Sequence, residues 1–256
     1  MEEHALSGGN VSTAVVRVGN TVRKPWTVST PSVNAFVEAV REAGVDAPKP
    51  LGRDELGRSV QEFIFGRRAI DAGVLSPAEL NRIGSIVREI HDASVHFSPP
   101  ADAIWETAIP APGNDLVCHN DLAPWNFIMG ERWVFIDWDA SAPSTRLWDL
   151  AYAAQAFTLN DTSQPAHLAA RNLAAFIDGY RADDTIRSAL PTAMSSRAAA
   201  MHELLHTANL AGREPWASMY STGHGAHWAS VTHYVDAHQE VWATALIRTR
   251  PSTLNA

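Results

Sequence analysis

The feature that most constrains this chain is a strand-rich segment that carries three oxygen-bearing side chains at fixed intervals. Residues 118–139 read CHNDLAPWNFIMGERWVFIDWD. Asp121 and Asn126 lie five residues apart in a predicted loop, and Asp137 ends the second strand of a predicted hairpin that turns at residues 130–132. Because a hairpin returns the chain to the place where it started, we expect the three side chains to lie close together.

This combination of residue types suits phosphoryl transfer to a hydroxyl group. One carboxylate orients the attacking hydroxyl and receives its proton, while an amide oxygen and a second carboxylate hold Mg²⁺ on the nucleotide phosphates. Asp121 is the candidate base, and Asn126 and Asp137 are candidate ligands because Mg²⁺ prefers oxygen donors. The segment therefore predicts an enzyme that uses a nucleotide and Mg²⁺.

The start of the chain has the elements expected of a nucleotide-binding region. Two β-rich runs, residues 14–18 and 21–24, are joined by a Gly-Asn pair and predict a hairpin. Lys24 ends the second run and is one of two lysines in the sequence. Apolar residues at helical spacing predict a helix over residues 32–43, where Glu38 is placed to orient Lys24.

Composition excludes several other classes of protein. A single cysteine allows no disulfide within the chain. The formal net charge of −8 disfavours nucleic acid as a partner and suits a cationic ligand. No apolar run approaches the ~20 residues of a membrane span, and the N-terminus lacks the pattern of a signal peptide. We therefore expect a cytoplasmic enzyme that binds neither nucleic acid nor membrane, of undetermined oligomeric state.

The residue types change near position 66. Residues 1–66 are rich in strand and turn patterns, whereas residues 67–256 are mostly helical in pattern and contain every tryptophan except Trp26. Most of the negative charge also lies in the second part. We expect an N-terminal nucleotide-binding lobe over residues 1–66 and a C-terminal catalytic and substrate-binding lobe over residues 67–256.

A competing motif lies in the helical part. Residues 202–206 read HELLH, which matches the H-E-x-x-H pattern of zinc hydrolases. The extended form of that pattern fails, because positions 209 and 212 are Asn and Gly. A zinc hydrolase remains an alternative function, and the other interpretation of His202 and His206 is that they line a substrate cleft.

Three motifs together, CHNDLAPWN, IDWD and RLWDLAYA, carry a wider similarity that runs from SGGNVSTAVVRVGNTVRKP to the GREPWASM region. On these residues the chain resembles the aminoglycoside phosphotransferase family, in particular its trifolitoxin-immunity-like bacterial branch. The resemblance implies an α+β, bilobal, protein-kinase-like fold with a small β-rich N-lobe and a larger, mainly helical C-lobe. It also implies ATP or GTP as phosphate donor, Mg²⁺, and transfer of the γ-phosphate to a small-molecule hydroxyl.

The resemblance also implies roles for residues of the central segment. It makes Asp121 the catalytic base and Asn126 and Asp137 the metal ligands, with His119 bracing the catalytic loop. Asp149, in RLWDLAYA, corresponds to a buried aspartate that accepts hydrogen bonds from the backbone of that loop.

The nucleotide site is implied in the same way. Lys24 corresponds to the lysine that contacts the α- and β-phosphates, with Glu38 as its partner on the helix. The hinge that meets the adenine corresponds to residues 61–64, which include Glu62 and Ile64. The loop that covers the phosphates corresponds to a stretch of small residues, Ser7, Gly8, Gly9, Asn10 and Ser12.

Aromatic and titratable side chains in the C-terminal part are candidates for the acceptor site, since they suit a sugar, a nucleoside or an amine. The candidates are Asp139, Asp161, His202, Glu203, His206, Trp216, His224 and Trp228. We expect an O-phosphotransferase whose acceptor is a small hydroxylated molecule such as an antibiotic, in resistance or self-immunity. The alternatives are a metabolic kinase for choline, homoserine or a sugar, and a non-catalytic immunity protein that sequesters its ligand.

Overall fold

The first part of the chain forms an antiparallel sheet. The computed structural model describes residues 2–6 and 15–247, so the phosphate-covering loop predicted at residues 7–12 lies outside the described residues. The sheet has the order β1-β2-β3-β5-β4. Its strands are β1 (Glu3–Ala5), β2 (Val16–Val18), β3 (Thr21–Lys24), β4 (Pro50–Arg53) and β5 (Ser59–Glu62).

The predicted hairpin and helix of this part are both confirmed. Val18 pairs with Thr21 across the turn between β2 and β3, where Gly19 has the positive φ of 59° that such a turn requires. Helix α1 (Thr30–Glu42) buries the apolar face that predicted it, whereas Glu38 lies on its exposed side.

Two small antiparallel sheets hold the segment around Asp121. Strands β6 (Arg67–Arg68), β8 (Phe127–Met129) and β9 (Trp133–Phe135) form a sheet in the order β6-β8-β9. Met129 pairs with Trp133, which confirms the hairpin turning at residues 130–132. Strand β7 (Leu116–Cys118), which precedes the loop, pairs with β10 (Ala142–Ser144), which follows Asp137. Both ends of the segment are thus anchored.

Helices make up most of the remainder. They are α2 (Pro77–Ser94), α3 (Arg146–Thr158), α4 (Ala166–Tyr180), α5 (Asp184–Ala211), α6 (Trp216–Met219), α7 (Gly225–Ala237) and α8 (Gln239–Leu246), with a π-helical turn at Tyr220–His224. Sequence alone left open whether Pro191 divides α5, and the structure shows one continuous helix with Pro191 inside it. Of the helices described, none is long and apolar enough to cross a membrane.

One continuous core joins the helices to the segment around Asp121. Phe36 of α1 is fully buried, and its ring lies 5.7 Å from that of Trp138, the residue after Asp137. Trp138 also donates a hydrogen bond from its indole to the Phe135 carbonyl at 2.9 Å. Packing against Trp138 therefore holds Asp137 in place relative to the N-terminal part.

Two glycines let α2 and α4 approach each other closely. A Cβ atom added at Gly84 would lie 2.0 Å from the Phe176 carbonyl oxygen, and one at Gly179 would lie 1.8 Å from the Asn81 carbonyl oxygen. Backbone atoms cannot move aside as a flexible side chain can, so the helices would have to separate.

We expect Gly84→Ala to lower the free energy of unfolding by about 2 kcal/mol, because overpacking between two backbones outweighs the gain in helix propensity. Urea unfolding followed by circular dichroism measures this change. Glu89→Ala, at an exposed position of the same helix, should change it by less than about 0.5 kcal/mol. A Gly84→Ala variant as stable as the wild type would contradict the close approach.

Candidate active site

Asp121 lies in the loop that follows β7 and is held there by hydrogen bonds to both of its carboxylate oxygens. The Tyr152 hydroxyl donates to Oδ1 at 2.9 Å, and the Asn126 amide donates to Oδ2 at 2.7 Å. Asn126 also donates to the Asp121 carbonyl at 3.1 Å. The carboxylate is therefore fixed in orientation before any substrate arrives, which is what a positioned base requires.

The pKa of Asp121 differs from that of an ordinary aspartate. Desolvation and the charge of the nearby Asp137 carboxylate raise it to about 6, against the opposing effect of the hydrogen bonds from Tyr152 and Asn126. Near neutral pH the group is mostly ionised, yet it is more basic than a solvent-exposed aspartate. Both properties suit the removal of a proton from a hydroxyl.

Lys24 meets the segment from the other side of the site. Its ammonium lies 2.5 Å from Asp139 and 3.7 Å from Asp137, although Lys24 is more than a hundred positions from both carboxylates in the chain. Burial would lower the pKa of Lys24, but the charges of Asp139 and Asp137 outweigh it and raise the pKa above its usual value. Lys24 is therefore a permanently charged group at the edge of this site.

Asp137 itself has an unusual backbone. Its φ of 60° lies in the left-handed region, which costs energy for a residue other than glycine. Asp137 follows the end of β9. Its side chain lies beside Lys24 and is 49% exposed.

The donor atoms here fit a Mg²⁺ ion. The Asn126 amide nitrogen is used on Asp121, so the amide oxygen is the atom left to face a cation. Asp137, which follows β9, supplies a half-exposed carboxylate. An amide oxygen and a carboxylate are hard ligands of the kind that Mg²⁺ prefers.

His119 is a buried, neutral brace of the same loop. Its Nδ1 accepts a hydrogen bond from the Asp121 backbone N–H at 3.3 Å, and its Nε2 lies 3.2 Å from the Ile136 carbonyl. Only the tautomer with a proton on Nε2 satisfies both contacts, and a second proton would face an N–H donor. Burial lowers the pKa of His119 to about 4.

This depressed pKa predicts a loss of stability in mild acid. Unfolding returns His119 to an ordinary pKa of 6.5, so the unfolded state binds a proton that the folded state resists. The contribution of His119 to the free energy of unfolding is complete above pH 6.5. It falls by up to about 3 kcal/mol as the pH drops from 6.5 to 4. In urea unfolding at several pH values, the free energy of unfolding of His119→Gln should fall less steeply between pH 6.5 and 4 than that of the wild type. His167→Gln, at an exposed site, should keep the wild-type slope, and equal slopes for all three proteins would contradict this role.

Asp149 ties the loop to the helices, as the resemblance implied. Its Oδ1 accepts a hydrogen bond from the Asn120 backbone N–H at 2.9 Å, and its Oδ2 lies 3.1 Å from Nε2 of His91. The other nitrogen of His91 contacts the Tyr180 hydroxyl at 2.8 Å. Cys118 completes a buried group of metal-ligating types, but both His91 nitrogens and both Asp149 oxygens already have partners. This group is therefore a structural brace.

Three other residues predicted for the nucleotide site, Glu38, Glu62 and Ile64, are described by the contacts they make. Within the described residues Lys24 pairs with Asp137 and Asp139 rather than with Glu38, which is exposed on α1. Glu62 accepts hydrogen bonds from Arg132 and from the Lys49 backbone. Its backbone and that of Ile64 remain the groups predicted to meet an adenine, and the Ile64 side chain packs with Ile128 and Val134.

Among the predicted acceptor-site residues, Trp228 is the one that the structure connects to Asp121. Its ring stacks on Tyr152 with centroids 6.3 Å apart and an interplanar angle of 17°. His202 and His206 stack on each other, and His206 also contacts Tyr220. The remaining candidates make no described contact with Asp121 or Tyr152. They are Asp161 and Glu203, which are exposed, Trp216 and His224, which are half-buried, and Asp139, which is exposed and pairs with Lys24.

The zinc interpretation gains no support from the surroundings of His202 and His206. In the described ranges, the one cluster of three metal-ligating side chains is His91, Cys118 and Asp149, far along the chain from both histidines. Glu203, between them, instead accepts a hydrogen bond from Thr207.

Two side chains near Asp121 had not been identified from sequence. Tyr152 lies one helical turn after Asp149 on α3, so a helix that presents Asp149 to the loop also presents Tyr152. The three-residue spacing from Asp149 to Tyr152 could therefore have identified Tyr152 from the sequence. Arg197 lies on α5 with its guanidinium 4.2 Å above the Tyr152 ring, and no sequence pattern indicates this long-range contact.

The chain is similar to known proteins in sequence and in fold. Residues 100–186 match the phosphotransferase enzyme family. The trifolitoxin immunity protein of Rhizobium leguminosarum bv. trifolii is 30% identical over 159 residues, which cover 59% of this chain and 60% of that protein. The aligned region thus spans less than two thirds of the relative.

Solved structures show the same fold at low sequence identity. A choline/ethanolamine kinase family protein from Mesorhizobium loti has a TM-score of 0.63 at 18% identity, over 96% of this chain and 92% of that one. A microcompartment-associated aminopropanol kinase reaches 0.67 at 13% identity, over 96% and 94%. The amicoumacin kinase hAmiN, in complex with AMP-PNP, Ca²⁺ and Ami, reaches 0.63 at 12% identity, over 88% of each chain. These findings confirm the resemblance to the aminoglycoside phosphotransferase family and its bilobal, protein-kinase-like α+β fold.

Proposed function

We propose that this protein is a phosphotransferase that moves the γ-phosphate of ATP or GTP to a hydroxyl of a small molecule. The observation that carries the proposal is the convergence of Lys24, Asp121, Asn126 and Asp137 from separate elements onto one site. These are a cation, a base and two oxygen ligands, which is the set that phosphoryl transfer needs.

In this proposal Asp121 holds the acceptor hydroxyl and receives its proton. Tyr152 and Asn126 keep the carboxylate oriented, so little reorganisation is needed during the reaction. Asn126 and Asp137 would hold Mg²⁺, which when bound neutralises charge on the nucleotide phosphates.

Lys24 would exchange its contacts when a nucleotide binds. Its ammonium now neutralises Asp139 and Asp137, and the α- and β-phosphates would become its new partners. Ser7, Gly8, Gly9, Asn10 and Ser12 would cover those phosphates. The division into a nucleotide-binding lobe over residues 1–66 and a catalytic lobe over residues 67–256 belongs to the same proposal.

The acceptor class is proposed from charge and from relatives. The chain has a net charge of −8, which favours a cationic acceptor. An immunity protein and an amicoumacin kinase among the similar proteins favour an antibiotic as acceptor, in resistance or self-immunity. The choline/ethanolamine and aminopropanol kinases favour a second candidate, an amino alcohol. Either reaction would take place in the cytoplasm, where ATP is available.

A substrate panel tests this function. Purified protein with Mg²⁺ and ATP or GTP is incubated with gentamicin, streptomycin, amicoumacin, choline, ethanolamine or aminopropanol, and nucleoside diphosphate release is followed together with the mass of the acceptor. We expect one class of acceptor to accelerate the release and to gain the mass of a phosphate. A chain that binds an antibiotic but releases no diphosphate would support sequestration instead.

A further inference from the structure

A buried cation that forms no ion pair with any described residue lies near the candidate base. Arg197 is 5% exposed, and its Nη1 is buried without a hydrogen-bond partner among the described residues. No described carboxylate lies within ion-pair distance of it. An unpaired buried charge is costly, and an apolar side chain of similar length would avoid that cost. The charge itself is therefore the property to be explained.

The position of the guanidinium indicates what it acts on. Its central carbon lies 4.2 Å above the centroid of the Tyr152 ring, close enough for a cation–π interaction, and 5.7 Å from the Trp148 ring. Tyr152 is also in contact with Trp228, which stacks on it with an interplanar angle of 17°. Arg197 and Trp228 together leave the phenol ring little freedom to turn.

The orientation of the Tyr152 ring fixes the position of the hydroxyl that contacts Asp121. Its hydroxyl donates to Asp121 Oδ1 at 2.9 Å. Burial and the Asp121 carboxylate raise the pKa of Tyr152 well above its usual value, so the hydroxyl stays protonated and can act only as a donor to the carboxylate. A cation over the ring withdraws electron density from it, which strengthens the hydroxyl as a hydrogen-bond donor.

We propose that Arg197 is a positioning residue that acts through Tyr152, holding the Tyr152 hydroxyl on Asp121 and supplying positive charge behind it. This inference rests on the proposed function, since it assigns Asp121 the work of a base. Arg197 touches neither substrate nor metal in this account.

A double-mutant cycle tests the connection. Arg197→Met, Arg197→Lys, Tyr152→Phe and the Met/Phe double variant are compared by ADP release from MgATP, with water alone and with the best acceptor of the panel. We expect Arg197→Met and Tyr152→Phe each to lower kcat about 10-fold and to change the KM for ATP by less than about 2-fold. The kcat of the double variant should fall about 10-fold rather than about 100-fold, because both changes weaken the same hydrogen bond from Tyr152 to Asp121. Arg197→Lys should recover most of the loss.

Thermal stability separates positioning from packing. Arg197→Met removes an unpaired buried charge, so its melting temperature should equal or exceed that of the wild type while kcat falls. Arg187→Met is the matched control on the same helix, because Arg187 is also buried but pairs with Asp178 at 2.7 Å. It should lower the melting temperature and leave kcat unchanged.

Three results would overturn the inference while the proposed function stands: an active Arg197→Met variant with wild-type kcat, additive losses in the double variant, or a fall in melting temperature that accounts for the lost activity. A wild-type protein that releases no ADP with any acceptor would overturn the proposed function and this inference with it.

Discussion

Replacing Asp121 with alanine should reduce phosphoryl transfer by about 10³-fold or more, because the acceptor hydroxyl would lose the group that orients it and takes its proton. The loss should appear in kcat, measured by ADP release with the best acceptor. Nucleotide binding should survive, since Lys24, Asn126 and Asp137 remain. Calorimetric titration with MgATP tests that second expectation.

Tyr152→Phe is the milder companion of this change. It removes the 2.9 Å hydrogen bond to Asp121 but keeps the carboxylate, so its loss should be far smaller than that of Asp121→Ala. Full activity in Asp121→Ala would remove Asp121 from the chemistry and leave the proposed mechanism without a base.

Asp137→Asn should have the second largest effect, lowering kcat/KM by about 10²-fold or more and shifting the Mg²⁺ dependence to higher concentrations. The reason is the loss of an anionic oxygen from the proposed metal site, where even the partners of ligands are worth about 10–100-fold in affinity. The measurement is a Mg²⁺ titration of ADP release at saturating ATP.

Asp139→Asn is the matched control for Asp137→Asn. Both carboxylates pair with Lys24, at 2.5 Å for Asp139 and 3.7 Å for Asp137, and both are about half exposed. If the effect of Asp137→Asn came only from the charge next to Lys24, the two variants would behave alike. We expect the shift in Mg²⁺ dependence for Asp137→Asn alone. Equal shifts would show that the loop contributes charge rather than a ligand, and unchanged cell protection in Asp137→Asn would favour sequestration.

Much of the site was predictable because its chemistry is concentrated in one segment. The five-residue interval from Asp121 to Asn126 and the hairpin before Asp137 are local features, and a local turn dictates where the chain returns. The buried role of Asp149 was implied by the family resemblance of RLWDLAYA, and it is confirmed by the hydrogen bond that its carboxylate accepts from the Asn120 backbone N–H.

Sequence reasoning failed where the deciding contact joins elements distant along the chain. Glu38 has the helical spacing for a partner of Lys24, yet the described structure pairs that lysine with Asp137 and Asp139. Which partner a lysine meets depends on how α1 packs against the loop, and that packing is not encoded in the spacing of either element.

The amino-acid sequence alone determined the order of the candidate site residues along the chain, the hairpins and helix α3, because hydrogen bonding and side-chain periodicity within an element act over a few residues. The tertiary structure decided which side chains contact each other. Lys24 meets two carboxylates, and Arg197 meets the ring of Tyr152, whose hydroxyl donates to Asp121. Such pairings depend on close packing of the whole core, since Coulomb and cation–π interactions become strong only where burial has excluded water.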